Sequence, residues 1–390
     1  VTVQLGIDML RRRGFDLLRG KRVGLLTTFA AVDGDLRRTY DLMRTDARVQ
    51  LAALFAPEHG LSGVGHAGEA IASARDPRTG LPVYSLYGAT FRPSPDMLAN
   101  IDVMVFDIPD VGSRYFTFLW TLTYVMAVTR DVEIVVLDRP NPLGGERIEG
   151  GALDPALISL VGGDNVPVCH GMTIGELARL LYAGWDETFR GLTVVPCDGW
   201  RRAMTWDETG LPWSPPSPNM PRFETALHYP GACLIEGTTL SEGRGTPMPF
   251  EIVGAPYIDE VELADALTAL KLPGTRFRPH VFKPTASKWV GEVCKGVQVY
   301  ITDRAEWRPI DVWLNIIITI RRLYPARFDW LPPGDSVENS RSMVHFDRLI
   351  GTSAARLQIE RGMSAADVMA EWADYQAAFR AFRQPFLLYE

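Results

Sequence analysis

A chain of 390 residues, 46% hydrophobic and 22% charged, has enough apolar material for more than one core and reads as two domains. Its formal net charge of −7 excludes the broad basic face that nucleic acid or an anionic membrane surface requires, so an anionic ligand needs locally placed Arg or Lys. The longest apolar candidate, Ile310–Leu323, is interrupted by Asp311, Asn315 and the Arg321-Arg322 pair, which argues against a membrane span.

The N-terminus begins at Val1 and runs into folded-looking sequence without a charged-then-apolar secretory pattern. This predicts a cytoplasmic protein for the chain as given, and a secreted or periplasmic one if a signal segment precedes Val1. Residues 1–205 alternate strand-like and helix-like runs, the pattern of a parallel sheet with covering helices. Strands are expected at Arg22–Thr27, Val49–Phe55, Ile101–Ile108, Glu133–Asp138 and Leu192–Pro196. Helices are expected at Gly34–Arg44, Ser94–Ala99, Phe116–Thr129 and Thr173–Gly184, the last opened by a Thr173/Glu176 capping box. The fold class is therefore α/β, a Rossmann-like parallel sheet followed by a smaller α/β domain over residues 206–390.

Several strands end in polar residues: Thr27-Thr28, Glu58-His59, Asp107 with Asp110, and Asp138-Arg139. Parallel strands point one way, so these ends meet on one rim, where open α/β sheets bind ligands. The run LAALFAPEHG is the sharpest case, an apolar strand stopped by Pro57 that delivers a carboxylic acid and an imidazole at that edge.

From Trp200 to Tyr257 the texture becomes rich in Pro, Gly and Trp with little periodicity, which predicts a long ordered functional loop. Its segment Glu236–Glu251 sets Glu236, Glu242 and Arg244 among glycines, a combination suited to a ligand with many hydroxyls. Beyond it, helices are expected at Val261–Leu270, Ile310–Leu323, Ser353–Glu360 and Ala365–Phe382, and a strand at Gly296–Thr302.

Common motifs are mostly missing. The glycines at 63, 65 and 68 spell GxGxxG after the second strand rather than in the first strand-helix turn, so they read as a flexible loop rather than a dinucleotide site. GxxxxGK[ST], HExxH and GxSxG do not occur. Cys169, Cys197, Cys233 and Cys294 lie far apart without CxxC, as reduced, buried thiols would.

The succession LFAPEHG, TGLPVYSLYG, IDVMVFDIPDVGSRYFT, VVLDRPNPLGG, HGMTIGELA, GLPWSPPSPNMP, TALHYPGACLIEGTTLSEGRGTPMPFE and FRPHVFKPTASKWVGEVCKGVQVYITDR resembles the exo-β-N-acetylmuramidases of the NamZ type over nearly the whole chain. The resemblance implies an active site in the cleft between the two domains. It also implies release of terminal N-acetylmuramic acid from the non-reducing end of peptidoglycan fragments, without a metal or organic cofactor. The proposed catalytic glutamate of that family falls on Glu58. The turn after the first strand departs from the family's TNPTG-like pattern, with Thr27-Thr28-Phe29-Ala30-Ala31 in its place.

Glycoside hydrolysis normally needs two carboxyl groups. Glu58 is expected to act as general acid, with His59 orienting it or holding a sugar hydroxyl. Asp110, Glu236 and Glu242 are the candidates for the second carboxylate. Arg114, near a helix start, or Arg244 would pair with the lactyl carboxylate of the substrate, Asn219 would hydrogen-bond the sugar, and Trp213, Phe250 or Tyr257 would stack on its ring. Two other readings stay open on the residues alone: a non-catalytic cell-wall carbohydrate-binding protein, and a metal-dependent hydrolase using Asp107, Asp110 and His59.

Overall fold

In a computed structural model that describes residues 2–66, 68–184, 191–332 and 344–390, the apolar runs of the first half pair into a seven-stranded sheet. Its strands are β1 (Arg22–Thr27), β2 (Gln50–Ala56), β3 (Ala74–Arg75), β4 (Pro82–Ser85), β5 (Val103–Asp107), β6 (Glu133–Leu137) and β7 (Leu192–Val195). They lie in the order β3-β4-β2-β1-β5-β6-β7, all neighbours parallel except the β3-β4 pair. All five residues of β5 are buried, as expected of a central parallel strand covered on both faces.

A second, antiparallel sheet orders β8 (Ile252–Ala255), β10 (Cys294–Ile301) and β9 (Thr275–Phe282). The helix Pro309–Leu323 buries Ile310, Trp313, Leu314, Ile317 and Ile320, spaced three and four residues apart on one face. A second helix, Phe223–Ala232, crosses it closely: a Cβ on Gly231 would lie 2.1 Å from the Pro309 carbonyl oxygen, so this crossing requires glycine. One hydrophobic core runs from Phe106 and Trp120 under the large sheet through Tyr229 and Phe250 to Trp313.

Several expected elements change. The stretch Trp200–Tyr257 is not a continuous loop, since it contains the helix Phe223–Ala232, the 3-10 turn Cys233–Gly237 and β8. Pro230 inside that helix masked its periodicity, and the helix is tied to the first half of the chain by the Tyr115 hydroxyl, which donates to the Pro230 carbonyl at 3.1 Å. Of the expected helix Gly34–Arg44, only Thr39–Thr45 is helical. Upstream, the Asp33 carboxylate accepts from the Asp35 and Arg37 amides and stabilises a turn instead. The expected helix Ala365–Phe382 is two, Ala365–Ala370 and Ala373–Phe382, with Trp372 between them packed against Gly151. β9 escapes a hydrophobicity pattern because it is an edge strand carrying Arg276, Arg278 and Pro279.

The last residues return to the first sheet. Tyr389 donates to the Asp138 carboxylate at 2.5 Å, the Leu388 amide to Glu176 at 2.8 Å, and Arg179 to the Phe386 carbonyl at 2.9 Å. All four cysteines are free and buried. Among the described residues no helix is long and apolar enough to cross a membrane.

Candidate active site

The strand end at Glu58 is shaped by a tight turn in which the Gly60 amide donates to the Pro57 carbonyl at 3.0 Å. His59, third in that turn, is held at φ 68°, a left-handed conformation that costs a non-glycine residue about 1 kcal/mol. What holds it is its ring: Nδ1 lies 2.7 Å from the Gly65 carbonyl, which can only accept, so Nδ1 carries a proton and donates it there. The glycine loop 60–68 therefore does have a local purpose. Its Gly68 amide also donates to Glu58 Oε1 at 2.8 Å, from a backbone at φ +77° with no heavy atom within 4 Å of where a Cβ would lie.

The other carboxyl oxygen of Glu58 accepts from the Thr117 hydroxyl at 2.7 Å. Thr117 is the N-cap of the helix Phe118–Met126 but makes no side-chain cap bond to it, because the hydroxyl is turned to Glu58. Tyr87, from the loop after β4, brings its phenol to the same carboxyl. Burial and the neighbouring Glu58 charge push the phenol's pKa up, so it stays a neutral donor.

These groups form one wall of a cavity of about 820 Å³, the size range of a small-molecule site. The facing wall belongs to the second half of the chain. There Arg244 Nε donates to Glu236 at 2.9 Å and stands 3.3 Å from Glu242, while Lys288 Nζ is 2.9 Å from Glu242 and 3.0 Å from the Ile235 carbonyl. Two carboxylates and two cations thus balance each other. Burial opposes ionisation of Glu236, but Arg244, His345 and Lys288 outweigh it and hold its carboxyl below the usual range. Burial keeps His345, also lining the cavity, below the ordinary histidine value.

Of the residues anticipated from sequence, Glu58, His59, Asn219, Glu236 and Arg244 line this cavity together. Glu242 is fully buried behind Arg244 and Lys288 and does not line it. Asp110 lies elsewhere on the rim, against a small pocket beside Trp206 and Trp213, where it accepts from the Gly112 amide at 2.8 Å. Burial pushes Asp110 up to about 6 and its neighbour His170, 3.9 Å away, down to about 3.

Arg114 is fully buried, and its guanidinium donates to the carbonyls of Gly151, Val166 and Leu349 at 3.3, 2.9 and 2.9 Å. Those bonds turn it inward, away from any substrate in the cavity. Trp213 packs edge-on to Trp206 at 5.4 Å and donates to the Met220 carbonyl at 3.0 Å, which fixes the loop that presents Asn219. Phe250 lines the cavity beneath Arg244, whereas Tyr257 stacks with Arg327 away from it.

The rim carboxylates also separate. Asp107 is bound by Arg139 and by the Thr39 hydroxyl, and Asp138 by Thr173, the Gly175 amide and Tyr389, so both stitch strand ends together. Among the described residues no three His, Cys, Asp or Glu side chains come together as a metal site would need. Tyr87, Thr117, Lys288 and His345 were not anticipated. Tyr87, Thr117 and Lys288 lie inside the YSLYG, SRYFT and TASKW runs already quoted, and His345 carries no sequence signal.

Comparison with known proteins follows the same layout. Residues 23–224 match the family described as Exo-beta-N-acetylmuramidase NamZ, N-terminal, and residues 227–389 its C-terminal counterpart. The chain is 43% identical over 389 residues to the peptidoglycan beta-N-acetylmuramidase NamZ of Bacillus subtilis, covering 99% of this chain and 91% of that protein. It is similar to two solved DUF1343 family proteins of Bacteroides fragilis. One is 36% identical with a TM-score of 0.89 over the whole of both chains. The other is 28% identical with a TM-score of 0.76, covering 100% of this chain and 99% of that one.

Proposed function

The chain belongs to the exo-β-N-acetylmuramidase NamZ family, and from that premise we propose that it is a glycosidase that releases terminal N-acetylmuramic acid from the non-reducing end of peptidoglycan fragments, with Glu58 as general acid and base. The observation that carries the proposal is Glu58 itself. A carboxyl group, 8% exposed, is fixed at both oxygens inside a cavity large enough for sugar rings.

Proton donation to the leaving glycosidic oxygen and later activation of water require one carboxyl group to work in both protonation states. The partners of Glu58 suit that cycle. The Gly68 amide can only donate and steadies Oε1. The Thr117 hydroxyl donates to Oε2 when Glu58 is ionised and can turn to accept when it is protonated. His59 Nε2 hydrogen-bonds a sugar hydroxyl.

Glu236, from the opposite wall, is the second carboxylate. Arg244 and Lys288 keep it anionic, so it faces the positive charge that develops on the sugar ring in the transition state. Asn219 hydrogen-bonds the bound sugar. Glu242 acts through Arg244 and Lys288 rather than on substrate, and the site draws on no metal or organic cofactor.

The test is hydrolysis of an aryl β-N-acetylmuraminide by wild type and Glu58→Gln. The expected result is a loss of about 10²- to 10⁴-fold in kcat with binding of N-acetylmuramic acid retained. Unchanged turnover would sink Glu58 as the acid. Binding without any wild-type turnover would favour the carbohydrate-binding alternative.

A further inference from the structure

We infer that Arg92 reads the lactyl carboxylate that distinguishes a muramic sugar from its glucosamine parent, an assignment that rests on the proposed muramidase reading. The requirement is a cation in the cavity whose charge is not already consumed. Arg244 and Lys288 face Glu236 and Glu242 one for one, so a carboxylate arriving there meets a neutralised cluster. Arg114 donates its guanidinium to three carbonyls in the core. Arg92 differs from all three: it lines the cavity, is exposed, and among the described residues pairs with no carboxylate.

The guanidinium carbon lies over the Tyr124 ring, 4.9 Å from its centre, a cation–π contact that biases the side chain toward this position and consumes none of its N–H groups, which remain available for bidentate recognition of a carboxylate.

The spacing suits one sugar. Tyr124 stands on the same helix whose N-cap, Thr117, holds Glu58, about two turns or roughly 10 Å along the axis. A ring whose glycosidic oxygen faces Glu58 can extend its C3 ether arm toward Arg92. The same short loop carries both ends of this ruler: Tyr87 touches Glu58, and Arg92 follows Phe91, whose ring packs edge-on to Tyr87 at 5.4 Å. The loop after β4 thus couples recognition of the acid to placement of the bond to be broken.

The experiment measures binding of N-acetylmuramic acid and of its lactyl methyl ester, which removes the charge with little change in shape, to wild type, Arg92→Ala and Arg92→Lys. Wild type should prefer the acid by about 10- to 100-fold, Arg92→Ala should bind the two forms equally, and Arg92→Lys should keep part of the preference through a point charge without the planar fork. On the aryl muraminide, Arg92→Ala should raise KM by a similar factor with little change in kcat. If Arg92→Ala retains the wild-type preference for the acid, or wild type shows none, the assignment is overturned. Because the binding comparison needs no turnover, an inactive wild type would count against the muramidase reading and leave this comparison intact as a test of Arg92.

Discussion

The Thr117 hydroxyl donates to Glu58 Oε2 across 2.7 Å, tying the end of one strand to the start of a helix that lies 59 residues further along the chain. That bond and the Tyr87 phenol are the side-chain restraints on the direction of the Glu58 carboxyl, whose other oxygen is also held by a backbone amide. Replacing Thr117 by Val keeps the shape and removes the hydroxyl. The expected outcome is a fall in kcat of about 10-fold or more with KM nearly unchanged, because the group acts on orientation rather than on substrate. Steady-state kinetics of Thr117→Val on an aryl muraminide checks it, and a KM effect without a kcat effect would refute it.

Arg114 ties the loop after β5 to the helix His345–Ile350 through the Leu349 carbonyl. Arg114→Ala leaves three buried carbonyls without their donor and opens a void the size of the side chain. Destabilisation by about 3 kcal/mol or more is expected in urea unfolding at pH 7. Kinetics at a temperature where the variant remains folded should show kcat and KM near wild type, which a substrate-binding arginine would not.

Asp110 gives a pH signature of opposite sign to that of most carboxylates. Its folded pKa, about 6, lies above the ordinary value of 3.8, so its protonated form fits the fold and stability is lost as pH rises through that window. Asp110→Asn keeps an acceptor for the Gly112 amide and removes the charge. The variant should be more stable than wild type by about 1–3 kcal/mol at pH 8 and no more stable at pH 3.5, measured by denaturant unfolding at the two pH values. Equal effects at both would show that the buried charge is not the cause.

Glu236 behaves in the usual direction. Held below 4.5 by Arg244, it contributes stability that is complete above that value and lost as pH falls below it. Arg244→Ala removes the guanidinium from two carboxylates at once, buried Glu242 and cavity-lining Glu236, and leaves Lys288, in contact with Glu242, as the nearest remaining ammonium. A loss of about 3 kcal/mol at pH 7 is expected, shrinking toward pH 3.5 as Glu236 protonates. A loss that stays constant across that range would point to packing on Phe250, over which Arg244 lies at 4.9 Å, as the larger contribution.

Burial patterns local to a few residues are legible in the sequence. The apolar runs at Arg22–Thr27 and Glu133–Leu137 give their strands because a strand buried on both faces writes itself as continuous hydrophobicity. The Thr173 capping box marks its helix because both halves of the motif lie within one turn. Edge strand β9 and the Pro230 helix stayed hidden, since their stability comes from partners distant in sequence rather than from their own pattern.

By itself the sequence determined the alternation of strands and helices, the Glu58-His59 pair at a strand end, and the family to which its ordered motifs belong. Only the tertiary structure decided which polar residues face the cavity. Asp107, Asp110, Arg114 and Glu242 carry the same functional groups as Glu58, Glu236 and Arg92, and no local rule separates them. Asp107 and Arg114 are set apart because buried partners from elsewhere in the chain already satisfy their charge, and Asp110 and Glu242 because the fold buries them outside the cavity lining. A charge matched by Arg139 or by three carbonyls holds the fold together, while one left with open valence toward a cavity can act on a ligand.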